Sequence, residues 1–205
     1  MNLTLSTFIK TYDNALTEEF CQKVCDKFDK DDRLTPGRLG NVPRVDKRTK
    51  DTTDLGVTSL KDAGWGEEDK VFFDSLDKHM QMYWEDIEKV KGKTPLASGT
   101  EVTDKGYQIM RYEPDGYFHW HHDFIVEKNK GARIITFIWY LNTVDEGWTQ
   151  FHNGNQVAPK QGRLLLFPSS WTYIHQGYPP KQTKYIITGW IQQNKIINGQ
   201  TINYG

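Results

Sequence analysis

Two stretches with a helical period come early in the chain, and short β-like runs fill the rest. In "TEEFCQKVCDKF", residues 17–28, Phe20, Val24 and Phe28 recur on one face. Thr17 suits an N-cap there, and two glutamates occupy the first turn. Residues 67–92 carry a longer stripe of Val71, Phe72, Leu76, Met80, Tyr83, Ile87 and Val90, and Gly92 suits its end. His79 sits beside that stripe in a structural or solvent role. Residues 4–16 read as an initial strand and a turn. From Tyr107 the period shortens: "YQIMRY", "GYFHWHHDFIV", "RIITFIWYLN", "GRLLLFP" and "KYIITGWIQ" are aromatic and β-branched runs between Gly, Pro, Asn and Asp turns.

Helices first and strands afterwards predict an α+β chain, mostly β, with the early helices covering a sheet or barrel. No internal repeat or linker divides it, so residues 1–205 are expected to form one domain. Residues 1–100 would hold the N-terminal strand and helices, and 101–205 the β core. Residues 29–60 are polar, rich in Gly, Pro and Asp, and without clear period. They read as a partly ordered loop anchored by Leu34, Leu39, Val42 and Val45, placed to act as a lid. The tail "NKIINGQTINYG" reads as an edge strand or a fraying end.

Composition narrows the picture without naming an activity. The chain is 37% hydrophobic with a formal net charge of -1, which gives no global attraction to nucleic acid or anionic membrane. Cys21 and Cys25 are the two cysteines, four apart on one helical face, and read as reduced thiols rather than a disulfide scaffold. No signal segment or membrane span is recognisable, so the expected location is cytoplasmic, as a monomer or weak dimer.

"YFHWHHDF", residues 117–124, places three of the six histidines beside an aspartate. In a regular strand His119, His121 and Asp123 share one face, and Trp120, His122 and Phe124 the other. Two imidazoles and a carboxylate on an octahedral ion leave positions open for substrate and oxygen, the pattern of non-haem Fe(II) chemistry. Strand residues two apart are separated by roughly 6.6 Å, so a third ligand is expected from elsewhere. His79, His152 and His175 are available, and His175 alone lies between two strong strand signals.

The stretch "YEPDGYFHWHHDF … RIITFIWYLN … EGWTQF … APKQGRLLLFPSSWTYIHQGYPPKQTKYIITGW" resembles the catalytic core of the Fe(II)/2-oxoglutarate-dependent dioxygenases, and most closely their prolyl 4-hydroxylase branch. The resemblance implies a double-stranded β-helix, a jelly-roll or cupin-like core with helices packed on the major sheet. It also implies a His-x-Asp…His metal motif, which falls on His121, Asp123 and His175. The family's basic residue for the distal carboxylate of 2-oxoglutarate falls on Lys184, its partner tyrosine on Tyr112, and a further co-substrate neighbour on Thr149. The implied reaction is hydroxylation by O2 with oxidative decarboxylation of 2-oxoglutarate, supported by ascorbate.

Trp148 stands where the family usually has glutamate, and Gln182 where it has glycine, which weakens any transfer of substrate identity. The implied substrate is a prolyl residue of a peptide or protein. Hydroxylation of a free amino acid or other small metabolite is the alternative, and a non-catalytic metal-binding module the third reading. His119 reads either as a neighbour of the metal or substrate or as a packed or solvent-exposed residue, and His122 as structural. Arg163 begins a strand at a polar edge, His152 reads as a hairpin residue, and core packing is the default for Trp139, Trp171 and Trp190.

Overall fold

The computed structural model describes residues 4–40, 44–91, 102–127 and 131–193, together with two short strands at 196–197 and 200–201. A 3-10 turn at Leu5–Phe8 precedes β1 (Lys10–Tyr12), and α1 spans Glu18–Asp29. Two short strands follow, β2 (Thr35–Pro36) and β3 (Thr53–Gly56), then α2 (Gly66–Lys91). The remaining strands are β4 (Val102–Asp104), β5 (Gln108–Tyr112), β6 (Phe118–His121), β7 (Val126–Glu127), β8 (Gly131–Tyr140), β9 (Thr149–Phe151), β10 (Gln156–Val157), β11 (Leu164–Pro168), β12 (His175–Gly177), β13 (Lys184–Gln193), β14 (Ile196–Ile197) and β15 (Gln200–Thr201).

Local chemistry sets the helix ends. Thr17 caps α1 by accepting from the Phe20 amide at 3.2 Å, and Glu18 and Glu19 face the positive end of the helix dipole. On α2, Phe72, Leu76, Met80, Tyr83 and Ile87 are buried as the stripe predicts, whereas Val71 is exposed because it lies one step off the inward arc. The Val90 side chain and Gly92 lie outside the described residues. His79 is buried and its Nδ1 meets the Ser75 carbonyl at 2.6 Å, which satisfies it structurally.

The strands form two main antiparallel sheets. The larger runs β1-β11-β8-β13-β5-β3-β2, with β4 added to β13 and β7 to β8. The smaller runs β10-β9-β12-β6. Alternation along the larger sheet divides the interior into two layers. Phe137 and Trp139 of β8, Leu164 and Leu166 of β11 and Ile187 of β13 pack with the faces of α1 and α2, including Cys21, Val24, Phe72 and Tyr83. Their neighbours Ile138, Tyr140, Leu165, Phe167 and Ile186 face the smaller sheet, with Phe151 and Val157. The fold is thus α+β, two antiparallel sheets with N-terminal helices on the larger one. Cys21 and Cys25 are buried and unpaired, and burial raises both thiols, Cys21 to about 11 and Cys25 to about 12.

Two expectations change in detail. Residues 4–16 contain only a three-residue strand after the 3-10 turn. Residues 29–60 are built into the larger sheet at both ends, since β2 pairs with β3 and β3 with β5. Within that segment Leu34 packs on the core, Val45 is exposed and Val42 lies outside the described residues.

Candidate metal centre and co-substrate cavity

β6 and β12 lie side by side, with His121 directly opposite His175. The register holds only because β6 carries a bulge. His175 pairs with His121 and Gly177 with Phe118, so two steps on β12 match three on β6. The extra residue breaks the two-residue alternation that places His119 with His121. Phe118 and His121 turn inward together, with their rings stacked at 3.6 Å between centroids and 13° between planes. His119 and Trp120 turn to solvent. His119 stacks on Tyr117 at 4.4 Å, and only its carbonyl serves the site, accepting from His121 Nδ1 at 2.7 Å.

Asp123 follows where the strand has ended. Its carboxylate stands 3.7 Å from His121 Nε2 and 3.7 Å from His175 Nε2, one oxygen to each. One donor atom from each of the three residues lies within 4.8 Å of the others. His175 Nδ1 meets the Tyr173 carbonyl at 3.0 Å. With both Nδ1 atoms turned to carbonyl acceptors, the Nε2 lone pairs face the aspartate, as metal-ligating imidazoles require. Cis donors on an octahedral ion with bonds of about 2.1 Å stand roughly 3 Å apart. A small contraction would therefore close the set on a divalent cation.

The electrostatics agree with that fit. Asp123 is buried, and among the described residues no lysine or arginine pairs with it. Burial opposes its ionisation, but His175, His121 and the 2.9 Å bond from the Thr136 hydroxyl outweigh that and hold the carboxyl below its usual range. The Trp190 indole N–H approaches it without completing a hydrogen bond. Burial and the neighbouring His175 push His121 down to about 3, so its imidazole stays neutral and open to a metal.

These residues line a cavity of about 440 Å³ between the sheets. Its inner walls are Met110, Tyr112, Ile138, Ile186 and Lys184, and Arg38, Gly40 and His122 form exposed parts of its rim. Lys184 is 2% exposed and directly paired with Tyr112 across β13 and β5. Its Nζ donates to the Gly147 carbonyl at 2.8 Å and lies 4.0 Å from the Tyr112 ring centroid, and no carboxylate meets it among the described residues. Burial pushes this ammonium down to about 7. A buried donor with no counter-ion, at the far end of a cavity from three metal-type ligands, suits a small dianion that spans the two. A wider depression along α1, about 950 Å³, gathers charged surface residues and none of the predicted site.

Thr149 also lines the cavity, with its hydroxyl 2.6 Å from that of Tyr140. Sequence reasoning missed Tyr140. The available signal was its phase on β8, two and four residues beyond Ile138 and Thr136, which face the same way. Phe118, Lys50 and Arg133 were missed as well. Arg133 stacks over Trp190 at 3.6 Å, and both line the cavity. Trp190 is therefore a wall of the site, Trp139 is core, and Trp171 is 67% exposed and belongs to neither. His122, read as structural, is a rim residue, because the chain leaves strand geometry just before it. His152 follows β9 and meets Trp120 edge-on, and Arg163 binds Asp13 at 2.7 Å.

The family profile described as the 2OG-Fe(II) oxygenase superfamily matches residues 107–192, the stretch that holds His121, Asp123, His175, Lys184, Tyr112 and Thr149. A protein of Acanthamoeba polyphaga mimivirus named "Putative prolyl 4-hydroxylase" is 32% identical over 112 residues, covering 43% of this chain and 45% of that one. The match thus spans less than half of that relative's length. Among solved structures, a prolyl hydroxylase from Trichoplax adhaerens superposes with a TM-score of 0.69 at 19% identity, covering 91% of this chain and 84% of the other. The viral collagen prolyl hydroxylase of Paramecium Bursaria Chlorella virus-1 gives 0.61 at 19% identity, covering 90% and 96%. A Pseudomonas putida prolyl-4-hydroxylase gives 0.60 at 17%, covering 90% and 92%. No helix among the described residues is long and apolar enough to cross a membrane. The His121, Asp123 and His175 cluster thus lies in a region, residues 107–192, that matches the 2OG-Fe(II) oxygenase superfamily profile, and the chain is similar in sequence to a protein named a prolyl 4-hydroxylase and in fold to prolyl hydroxylases of known structure.

Proposed function

We propose that this chain is an Fe(II)- and 2-oxoglutarate-dependent hydroxylase that acts on prolyl residues of a peptide or protein. The observation that carries the reading is the meeting of β6 and β12, which brings two imidazole Nε2 atoms to the two oxygens of one buried carboxylate. In this reading His121, Asp123 and His175 hold the iron. Lys184 and the Tyr112 hydroxyl receive the distal carboxylate of 2-oxoglutarate, with Thr149 beside it. Iron loaded with the co-substrate supplies oxygen activation coupled to oxidative decarboxylation.

The chain's own residues position and enclose. The 2.7 Å and 3.0 Å contacts to backbone carbonyls orient both imidazoles, and the Thr136 hydroxyl steadies Asp123. Lys184 takes up a proton as the dianion arrives, so that a charged pair forms where an ammonium alone is unfavourable. Phe118, Trp190 and Ile138 give the walls an apolar surface suited to a pyrrolidine ring. The two facing sheets are read as a double-stranded β-helix within a single domain over residues 1–205. The prolyl assignment is supported by the names of the relatives above. Free thiols at Cys21 and Cys25 support a reducing, cytoplasmic setting.

The test is succinate formation from 2-oxoglutarate with Fe(II) and ascorbate, followed by mass spectrometry for a +16 shift on proline-containing peptides. Absence of succinate in every condition, peptides included, overturns the enzymatic reading. Succinate with a +16 shift only on a free amino acid moves the activity to the small-molecule class.

A further inference from the structure

A second buried ionic group borders the cavity, outside the ligand set. Lys50 is 3% exposed and its Nζ donates to Asp54 Oδ2 at 2.6 Å. Asp54, also 3% exposed, accepts in addition from Gln108 Nε2 at 2.6 Å and from the Thr52 hydroxyl at 2.7 Å. The carboxylate is therefore well supplied with donors. The ammonium is not: it has three N–H groups, and Asp54 is the one acceptor that meets it among the described residues. Beyond that bond it lies 5.3 Å from the Phe118 ring centroid.

Backbone pairing fixes where the spare donors stand. Lys50 and Phe118 form an antiparallel bridge, the His119 amide donates to the Thr49 carbonyl at 2.9 Å, and the Asp51 amide donates to the Tyr117 carbonyl at 2.8 Å. Lys50 is thus tied to the strand that carries His121, with Phe118 stacked on that imidazole. Both Lys50 and Gln108 line the cavity. The same pairing occupies the free edge of β6, so an extended substrate cannot add there as a further strand. Its backbone must be held by side chains.

We infer that Lys50 is a specificity residue, which donates to a backbone carbonyl of a peptide substrate next to the residue that reaches the metal. The class of acceptor follows from the charge. Asp54 already neutralises Lys50, so the pair offers directed N–H groups without a net positive charge, which suits a neutral carbonyl better than a carboxylate. This rests on the proposed function and narrows its substrate class to peptides.

The experiment uses the whole chain loaded with Mn(II) and 2-oxoglutarate under argon, and titrates it with acetylated, amidated, proline-centred peptides. Lys50→Met alone leaves Asp54 without its cation and risks misfolding, so the paired variant K50M/D54N is measured beside it, with K50R as the conservative replacement. The paired variant is expected to weaken peptide binding about 10- to 100-fold, the worth of one charge-assisted hydrogen bond. Its Kd for 2-oxoglutarate should stay within about twofold of wild type, and K50R should recover most of the peptide affinity. Unchanged peptide binding in the folded paired variant overturns the inference, as does an equal loss of 2-oxoglutarate binding, which would make the pair merely structural. A wild-type chain that binds 2-oxoglutarate but no peptide also overturns it while sparing the hydroxylase reading. Failure of the wild type to bind 2-oxoglutarate at all removes both.

Discussion

Replacing Lys184 by methionine should make the protein more stable and less able to bind its co-substrate. Burial takes the ammonium from an ordinary 10.5 to about 7. At about 1.4 kcal/mol per pH unit, that fall corresponds to about 5 kcal/mol of folding stability forgone at and below neutral pH. The sign follows from proton counting. Between about pH 7 and 10.5 the unfolded chain holds the Lys184 proton and the folded chain has lost it, so stability rises as pH rises across that window. Methionine removes the penalty and keeps the stem volume, but it leaves the Gly147 carbonyl without its 2.8 Å donor, a loss of about 1–3 kcal/mol. The net gain at pH 7 should be about 2–4 kcal/mol, read as a rise in Tm of roughly 5 °C or more for a chain of this size. 2-Oxoglutarate should then bind about 100- to 3000-fold more weakly, the cost of a buried carboxylate left without its cation. The assays are chemical denaturation of wild type and variant from pH 6 to 10, and calorimetric titration of 2-oxoglutarate in buffers of different ionisation enthalpy. Wild type should take up most of one proton on binding at pH 8. A variant less stable than wild type at pH 7, or a wild type whose binding releases no buffer protons, would refute the reasoning.

The other expectations are simpler to state. Asp123→Ala should abolish the thermal stabilisation by Mn(II), about 2.7 kcal/mol at a hundredfold excess over Kd, while the metal-free melting curve moves little or upward. Gly177→Ala would set its methyl 3.0 Å from the Tyr112 hydroxyl, so 2-oxoglutarate KM should rise several-fold at nearly wild-type stability, as kinetics and melting together would reveal. Tyr140→Phe deletes the 2.6 Å contact with Thr149 and should cost about 1 kcal/mol in denaturant titration. Gly189→Ala would drive a methyl to 2.3 Å from Phe137 and 2.4 Å from the Gly106 carbonyl, so a loss of several kcal/mol or failure to accumulate folded protein is expected.

Much of this arrangement was readable because strands and helices leave periodic marks. The α1 and α2 faces were legible from their apolar spacing, and Thr17 from its position as a cap. The donors His121, Asp123 and His175 were legible as residue types, with Lys184 and Trp190 an even step apart on β13 and both on the cavity wall. What escaped was what periodicity cannot encode. The β6 bulge adds one residue to a strand and reassigns His119 and Phe118 between solvent and cavity. Lys50 and Asp54 sit in a segment whose polarity reads as loop, yet they are buried as an ion pair. Nothing in the sequence sets Tyr140 apart from the core aromatics, because its hydroxyl partner Thr149 stands on the facing sheet.

The one-residue irregularity in β6 also decides which imidazole is used. Histidines stand at 119, 121 and 122, and their chemistry is identical. Only the count of backbone steps against β12 selects the middle one. With Phe118 held against Gly177, an unbroken two-step alternation would set Trp120 opposite His175, and the extra step brings His121 there instead. The imidazole that meets His175 is thus chosen by main-chain arithmetic, since a strand without the extra step would present an indole at that place.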